Sequence, residues 1–209
     1  MLSSSSRFRR RGLRVAGALA FPLVLAGCIT PDPPKYDDAL AGLSSSVAAN
    51  APVGARASVR GPAALVVSEN TEKMLESHET VEKGLRAQLL VNESAAQSRD
   101  PTHLVNKIVA LVKTRVPNIE LVDDLATASR RGKKSTIVVD LRSELGKLSG
   151  QRTNVAVTLV FMDERQRPVS RITGQGSAVI PYPAFSFGFQ EAADQALQDL
   201  AAKMDAVLR

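Results

Sequence analysis

The chain is short of the side chains on which most site chemistry depends. Its 209 residues hold one cysteine, two histidines and no tryptophan. A lone cysteine closes no intrachain disulfide, and His78 and His103 lie at ligand spacing from no second His or Cys. His78-Glu79 lacks the second histidine that a metalloprotease helix requires, so both histidines read as solvated or core-edge residues. Gly132-Lys133-Lys134-Ser135 has the ending of a phosphate loop. However, Thr127 stands where the first glycine belongs, and the stretch leads into a strand rather than a helix. Arg130, Arg131, Lys133 and Lys134 therefore read as a solvated basic turn, with contact to an anionic surface as the alternative. Ser177 follows Gly174-Gln175-Gly176 without the flanking glycines of a nucleophile elbow. Asp123 and Asp124 are adjacent, so on a strand they would point to opposite faces, and they read as loop or strand-end acids rather than as an acid pair. No catalytic residue, metal ligand or cofactor site is expected.

An excess of basic charge is also missing from most of the chain. The formal charge is +6, but the first 27 residues hold five arginines and no acid. The remainder sets 22 basic residues against 21 acidic ones, so the high isoelectric point does not argue for nucleic acid. No stretch after the leader is apolar for long enough to cross a bilayer as a helix.

What the chain does have begins with that leader. Arg7, Arg9, Arg10, Arg11 and Arg14 precede an apolar run from Val15 to Ala26, which is the layout of a secretory signal peptide. Arg10-Arg11 is loosely similar to a twin-arginine signal, although several arginines are ordinary in any such basic segment. The run ends in Leu25-Ala26-Gly27-Cys28. This tetrapeptide resembles the lipobox of bacterial lipoproteins at all four positions. The resemblance implies lipid transfer to the Cys28 thiol, cleavage before Cys28 and acylation of the new amine. It also implies anchorage at the outer membrane, because Ile29 is not the Asp that marks inner-membrane retention in that family. Residues 1–27 are thus expected to be a signal peptide, 28–62 a lipidated cysteine with a flexible tether, and 63–209 a periplasmic domain. The tether reading rests on Pro31, Pro33, Pro34, Pro52 and Pro62 and on a small-residue run between them. A short helix over residues 36–49 is the alternative.

Within 63–209, Ala64-Leu65-Val66-Val67 suits a buried strand. Met74, His78, Val81, Leu85 and Leu89 recur at three- and four-residue spacing and predict a helix, with a strand over 85–91 as the alternative. Asp100 and Pro101 suit a helix start, and Leu104, Ile108, Leu111 and Val112 form its stripe up to Arg115 and Pro117. Ile119, Leu121 and Asp123 share one face of a short strand. Ile137, Val139, Leu141 and Leu145 mark one strand, and Val155, Val157, Leu159 and Phe161 the next. The polar turn from Asp163 to Pro168 makes a hairpin with a third strand, in which Ile172, Gly174, Gly176, Ala178 and Ile180 share a face. Small residues there let a helix lie close. The final helix, with Phe189, Ala193, Ala196, Leu197, Leu200, Met204 and Leu208 in its stripe, fits that role. The order predicts an α/β two-layer sandwich, with a mixed sheet of about five strands and helices packed on one face. Behind a lipobox and a tether, this order resembles small envelope lipoproteins: penicillin-binding-protein activator, curli-secretion and YajG-type lipoproteins, and the TolB amino-terminal domain.

Four of the six aromatic residues after the leader lie between Tyr182 and Phe189, in the loop entering the last helix. They form either a plug for the core or a contact surface. Phe189 belongs to the helix stripe and Phe187 is expected to point inward. Tyr182 or Phe185 is the candidate partner contact. The function expected is that of a non-enzymatic adaptor in cell-envelope assembly, held at the membrane through Cys28 and binding an envelope protein. The alternatives are an accessory lipoprotein for lipid or lipopolysaccharide transport, and an envelope hydrolase.

Overall fold

Alternation of period two in the second half of the chain builds a sheet with one strongly apolar face. The computed structural model describes residues 52–89, 101–146, 150–180 and 188–208, with the backbone alone at 81–89 and 101–102. Its elements run β1 (Ala63–Val67), α1 (Glu69–Leu89), α2 (Pro101–Arg115), β2 (Ile119–Val122), α3 (Leu125–Arg130), β3 (Ser135–Glu144), β4 (Arg152–Met162), β5 (Pro168–Val179) and α4 (Phe189–Val207). They form a five-stranded mixed sheet of order β2-β1-β3-β4-β5. β1 is parallel to both neighbours, whereas β3, β4 and β5 are antiparallel. This is the α/β sandwich that the element order predicts.

The three long helices cover one face. Leu65, Ile137, Val139, Leu141, Val157, Leu159 and Ile172 meet Met74, Ile108, Val112, Ala196, Leu200 and Met204 in the main core. β5 shows why α4 can come so close. Gly174 and Gly176 pair with Val157 and Val155, so they lie on the helix side. A Cβ added to Gly176 would sit 1.9 Å from the Ala192 carbonyl oxygen, and one on Gly174 2.2 Å from that of Ala196. Only glycine lets the helix backbone rest on the strand.

That closeness has a second effect. Three outward backbone groups of β5 are taken by side chains of α4. The Gln175 amide donates to Asp199 Oδ2 at 2.9 Å, and the Ser177 amide to Gln195 Oε1 at 3.1 Å. Lys203 Nζ donates to the Thr173 carbonyl at 2.7 Å. Lower on the same edge, the Arg171 amide donates to the Pro52 carbonyl and its carbonyl accepts from the Gly54 amide.

This last contact moves the boundary of the body. Residues 52–62, read from composition as tether, are a strap along its rim. Val53 bridges to Arg171, the Ala57 amide donates to the Val207 carbonyl, and Ser170 Oγ donates to the Ala55 carbonyl at 2.6 Å. Ala57 is buried in the main core.

Three details differ from the periodicity reading. β2 ends at Val122, so Asp123 is outside it, and Leu121, on this edge strand, is 52% exposed. Leu145 lies beyond the end of β3, and Ser143 holds the buried position after Leu141. The six-residue α3 lies on the opposite face, where Leu125 and Ala128 pack on Ala64, Val66, Val138, Val160 and Met162. Asp124, read as a loop acid, caps it by accepting from the Thr127 amide at 2.5 Å.

Candidate functional site

Cys28, Tyr182, Phe185 and Phe187 all lie outside the described residues. The two ends of the aromatic loop are described. Ile180 is buried, and its backbone pairs with Gln151 and Gly150. Gly188 adopts φ 64° as the residue before α4, a conformation that suits glycine. Phe189 packs partly buried against the core, its ring centroid 4.3 Å from that of His78.

His78 is a core-edge residue. It is 9% exposed, and its Nε2 is 2.7 Å from Ser143 Oγ. Burial lowers its pKa to about 4, so the ring is neutral at pH 7. His103 is exposed on α2. The two rings belong to different environments and form no site together.

The basic turn before β3 is held by acids. Arg131 and Lys133 both donate to Glu120 on β2, and Lys134 reaches Glu164 at 3.3 Å. The hydrogen bond from Lys133, with charge from both cations, holds the Glu120 carboxyl below its usual range.

The face of the sheet that α3 leaves open carries a groove of about 540 Å³. Its walls come from alternate positions of three strands: Arg142 and Glu144 of β3, Asn154 of β4, and Gln175 and Ser177 of β5. Ala156 provides a shallow floor and Gln195 of α4 the rim. Arg142 Nε donates to Asp140 Oδ2 at 2.9 Å, and Asn154 Nδ2 to Glu144 Oε2 at 3.5 Å. Arg152 donates to Ser177 Oγ at 3.3 Å. These groups donate and accept hydrogen bonds and carry both signs of charge. Ser143 also lines it, and its Oγ lies against His78 Nε2 on the helix side. Among the described residues no three His, Cys, Asp or Glu side chains converge on a metal position. Such a surface offers donors, acceptors and both signs of charge to a polar ligand or a protein.

Sequence reading missed the groove because its residues, taken strand by strand, look like an ordinary wet face. It becomes visible only once β3, β4 and β5 are set side by side in register. Asp140, beneath it, is 3% exposed and accepts from Ser68 Oγ at 2.8 Å as well as from Arg142. Ser68 Oγ also accepts from the Thr71 amide at 3.2 Å, so this buried cluster fastens the start of α1 to β3.

No family model matches the chain, and no curated protein matches it. Solved structures similar to it include two of PelC from Paraburkholderia phytofirmans, both dodecamers. One is 14% identical with a TM-score of 0.40, covering 77% of this chain and 95% of that one. The other, a point variant, is 13% identical with a TM-score of 0.38, covering 77% and 96%. At this distance neither transfers a function.

Proposed function

We propose that this is an outer-membrane-anchored periplasmic lipoprotein whose α/β body acts by binding, as a non-enzymatic adaptor in cell-envelope assembly. The observation that carries the reading is Leu25-Ala26-Gly27-Cys28 at the end of a basic and then apolar leader. The lipid on Cys28 is the durable anchor: burying acyl chains contributes about 0.8 kcal/mol per methylene, and two or three chains hold firmly. The described helices support this division of labour, since none is long and apolar enough to cross a membrane. The open polar groove favours binding over catalysis. The close seating of α4 on Gly174 and Gly176 argues against lipid carriage, because the space between sheet and helix that an acyl chain would need is filled. Tyr182 or Phe185 is the aromatic contact proposed for the envelope partner.

Metabolic labelling with a fatty acid tests the anchor. Label should appear on the wild-type chain and vanish in Cys28→Ser, and persistent label on the variant would end the assignment. Cross-linking and pull-down from detergent-solubilised envelope, comparing wild type with Tyr182→Ala and Phe185→Ala, tests the adaptor role.

A further inference from the structure

We propose that the strap end of the body is a docking face for an anionic phospholipid surface. It rests on the lipid-anchor reading for the protein's place beside a membrane, and on charge and geometry for the face itself. Three segments meet at this end. The strap lies against the loop before β3: the Arg60 amide donates to Ser135 Oγ at 3.1 Å, the Lys134 amide donates to the Pro62 carbonyl, and Gly61 packs on the Lys134 side chain. That loop in turn reaches the β4–β5 hairpin turn through Lys134 and Glu164.

The three segments are strongly basic. The strap contributes Arg56 and Arg60 and no acid. The loop contributes Arg130, Arg131, Lys133 and Lys134, again with no acid of its own. The turn adds Arg165 and Arg167 beside Asp163 and Glu164. Glu120 neutralises part of this, and counting Asp123 and Asp124 at the far end of α3 still leaves cations in excess. Arg56, Arg60, Arg130 and Arg165 are exposed and form no ion pair with any described acid. The mature chain is nearly neutral, so this excess is local, not a reflection of overall composition.

Position makes the occupant specific. The strap is the first described segment after the lipidated cysteine. Even fully extended, the chain from Cys28 to Pro52 spans no more than about 90 Å, so these arginines never leave that reach of the surface that holds the lipid. Tethering makes their contact with headgroups intramolecular, and a weak patch then suffices. Each basic residue close to an anionic leaflet strengthens binding about fivefold at moderate salt. Docked this way, the body would stand with β3, β4 and β5 pointing away from the membrane. The polar groove and the start of α4, at the opposite end of the sheet, would then face a partner.

The test uses the mature chain with Cys28→Ser, made without leader or lipid, and sedimentation with vesicles. Vesicles of one part phosphatidylglycerol to two parts phosphatidylcholine should bind it in low salt, and pure phosphatidylcholine should not. Arg56→Glu with Arg60→Glu should weaken binding more than tenfold, with an unchanged melting curve. Lys73→Glu with Arg152→Glu, an equal change of net charge away from this face, should weaken it less than threefold. Equal binding to both vesicle types, or equal losses in the two double variants, would overturn the proposal. So would binding to neither vesicle, which is the outcome if the face serves an acidic protein. No acylated protein enters the assay, so its result does not depend on the Cys28 labelling.

Discussion

The two faces of the sheet are built from the same three strands and differ in almost every physical respect. On the helix side, alternate residues are Val155, Val157, Leu159, Phe161 and Ile172, all buried under α4 and its neighbours. On the other side, the intervening residues are Arg142, Asn154, Thr158, Thr173, Gln175 and Ser177, which face a shallow groove or one another. A shift of one residue in register would exchange the two sets, so the apolar face fixes the register of the polar one. The wet face is thus positioned by residues that never touch it. Away from the cluster under α3, the proposed binding role makes this division one between stability and recognition: substitutions on the helix side should be read in the melting curve, and those in the groove in binding.

The sharpest way to break the distinction is Gly176→Val. The new side chain would meet the Ala192 backbone, and neither the strand nor the helix can give way without losing the core. We expect a loss of at least about 4 kcal/mol, or no cooperative transition, in denaturant unfolding. A loss below about 1 kcal/mol would mean that α4 does not rest on the strand. Leu200→Ala, deep in the same interface, should cost about 3 kcal/mol by cavity formation.

A pH titration probes the helix side without mutating its packing. His78 has a folded pKa of about 4 against about 6.5 in the unfolded chain. Its neutral form therefore favours the folded state, and that contribution is complete above pH 6.5. It is lost progressively as the unfolded chain takes up the proton between pH 6.5 and 4, for a total of about 3 kcal/mol. The stability of wild type minus that of His78→Gln should fall by this order across the window. A parallel pair of stability curves would show that the ring is solvated when folded.

The smallest effect should come from the wet face. Asn154→Ala and Gln175→Ala remove exposed side chains and should shift stability by no more than about 0.5 kcal/mol. Any loss of partner capture in these variants would then report the groove itself.

How much of this was legible follows from which interactions leave a pattern. β3, β4, β5 and α4 were readable because burial on one side imposes a period, and Gly174 and Gly176 announced a close helix. The strap left no such mark. Its hydrogen bonds run from backbone to backbone, to Arg171 and Val207, and its prolines and small residues look the same whether it is free or bound. α3 spans fewer than two turns, too short for periodicity, although Asp124 three residues before Thr127 was an available cap signal. The contact of His78 with Ser143 and Phe189 joins residues far apart in the chain, which no local pattern encodes. The proposed lipidation of Cys28 is the reverse case: it rests on a sequence motif alone, and Cys28 lies outside the described residues.

The closed flank of β5 limits how copies of this body can combine. A sheet grows without end only if both of its borders accept a strand. Here one border has the amides of Arg171, Gln175 and Ser177 and the carbonyls of Arg171 and Thr173 already bonded within the molecule by the strap, Asp199, Gln195 and Lys203, which obstructs a further strand. Among the described strands the other border is the short β2, which holds the exposed Leu121. Strand-to-strand joining of two such borders consumes both, so it terminates at a pair. Edge-to-edge pairing of this body therefore stops at two copies instead of running on into a fibre.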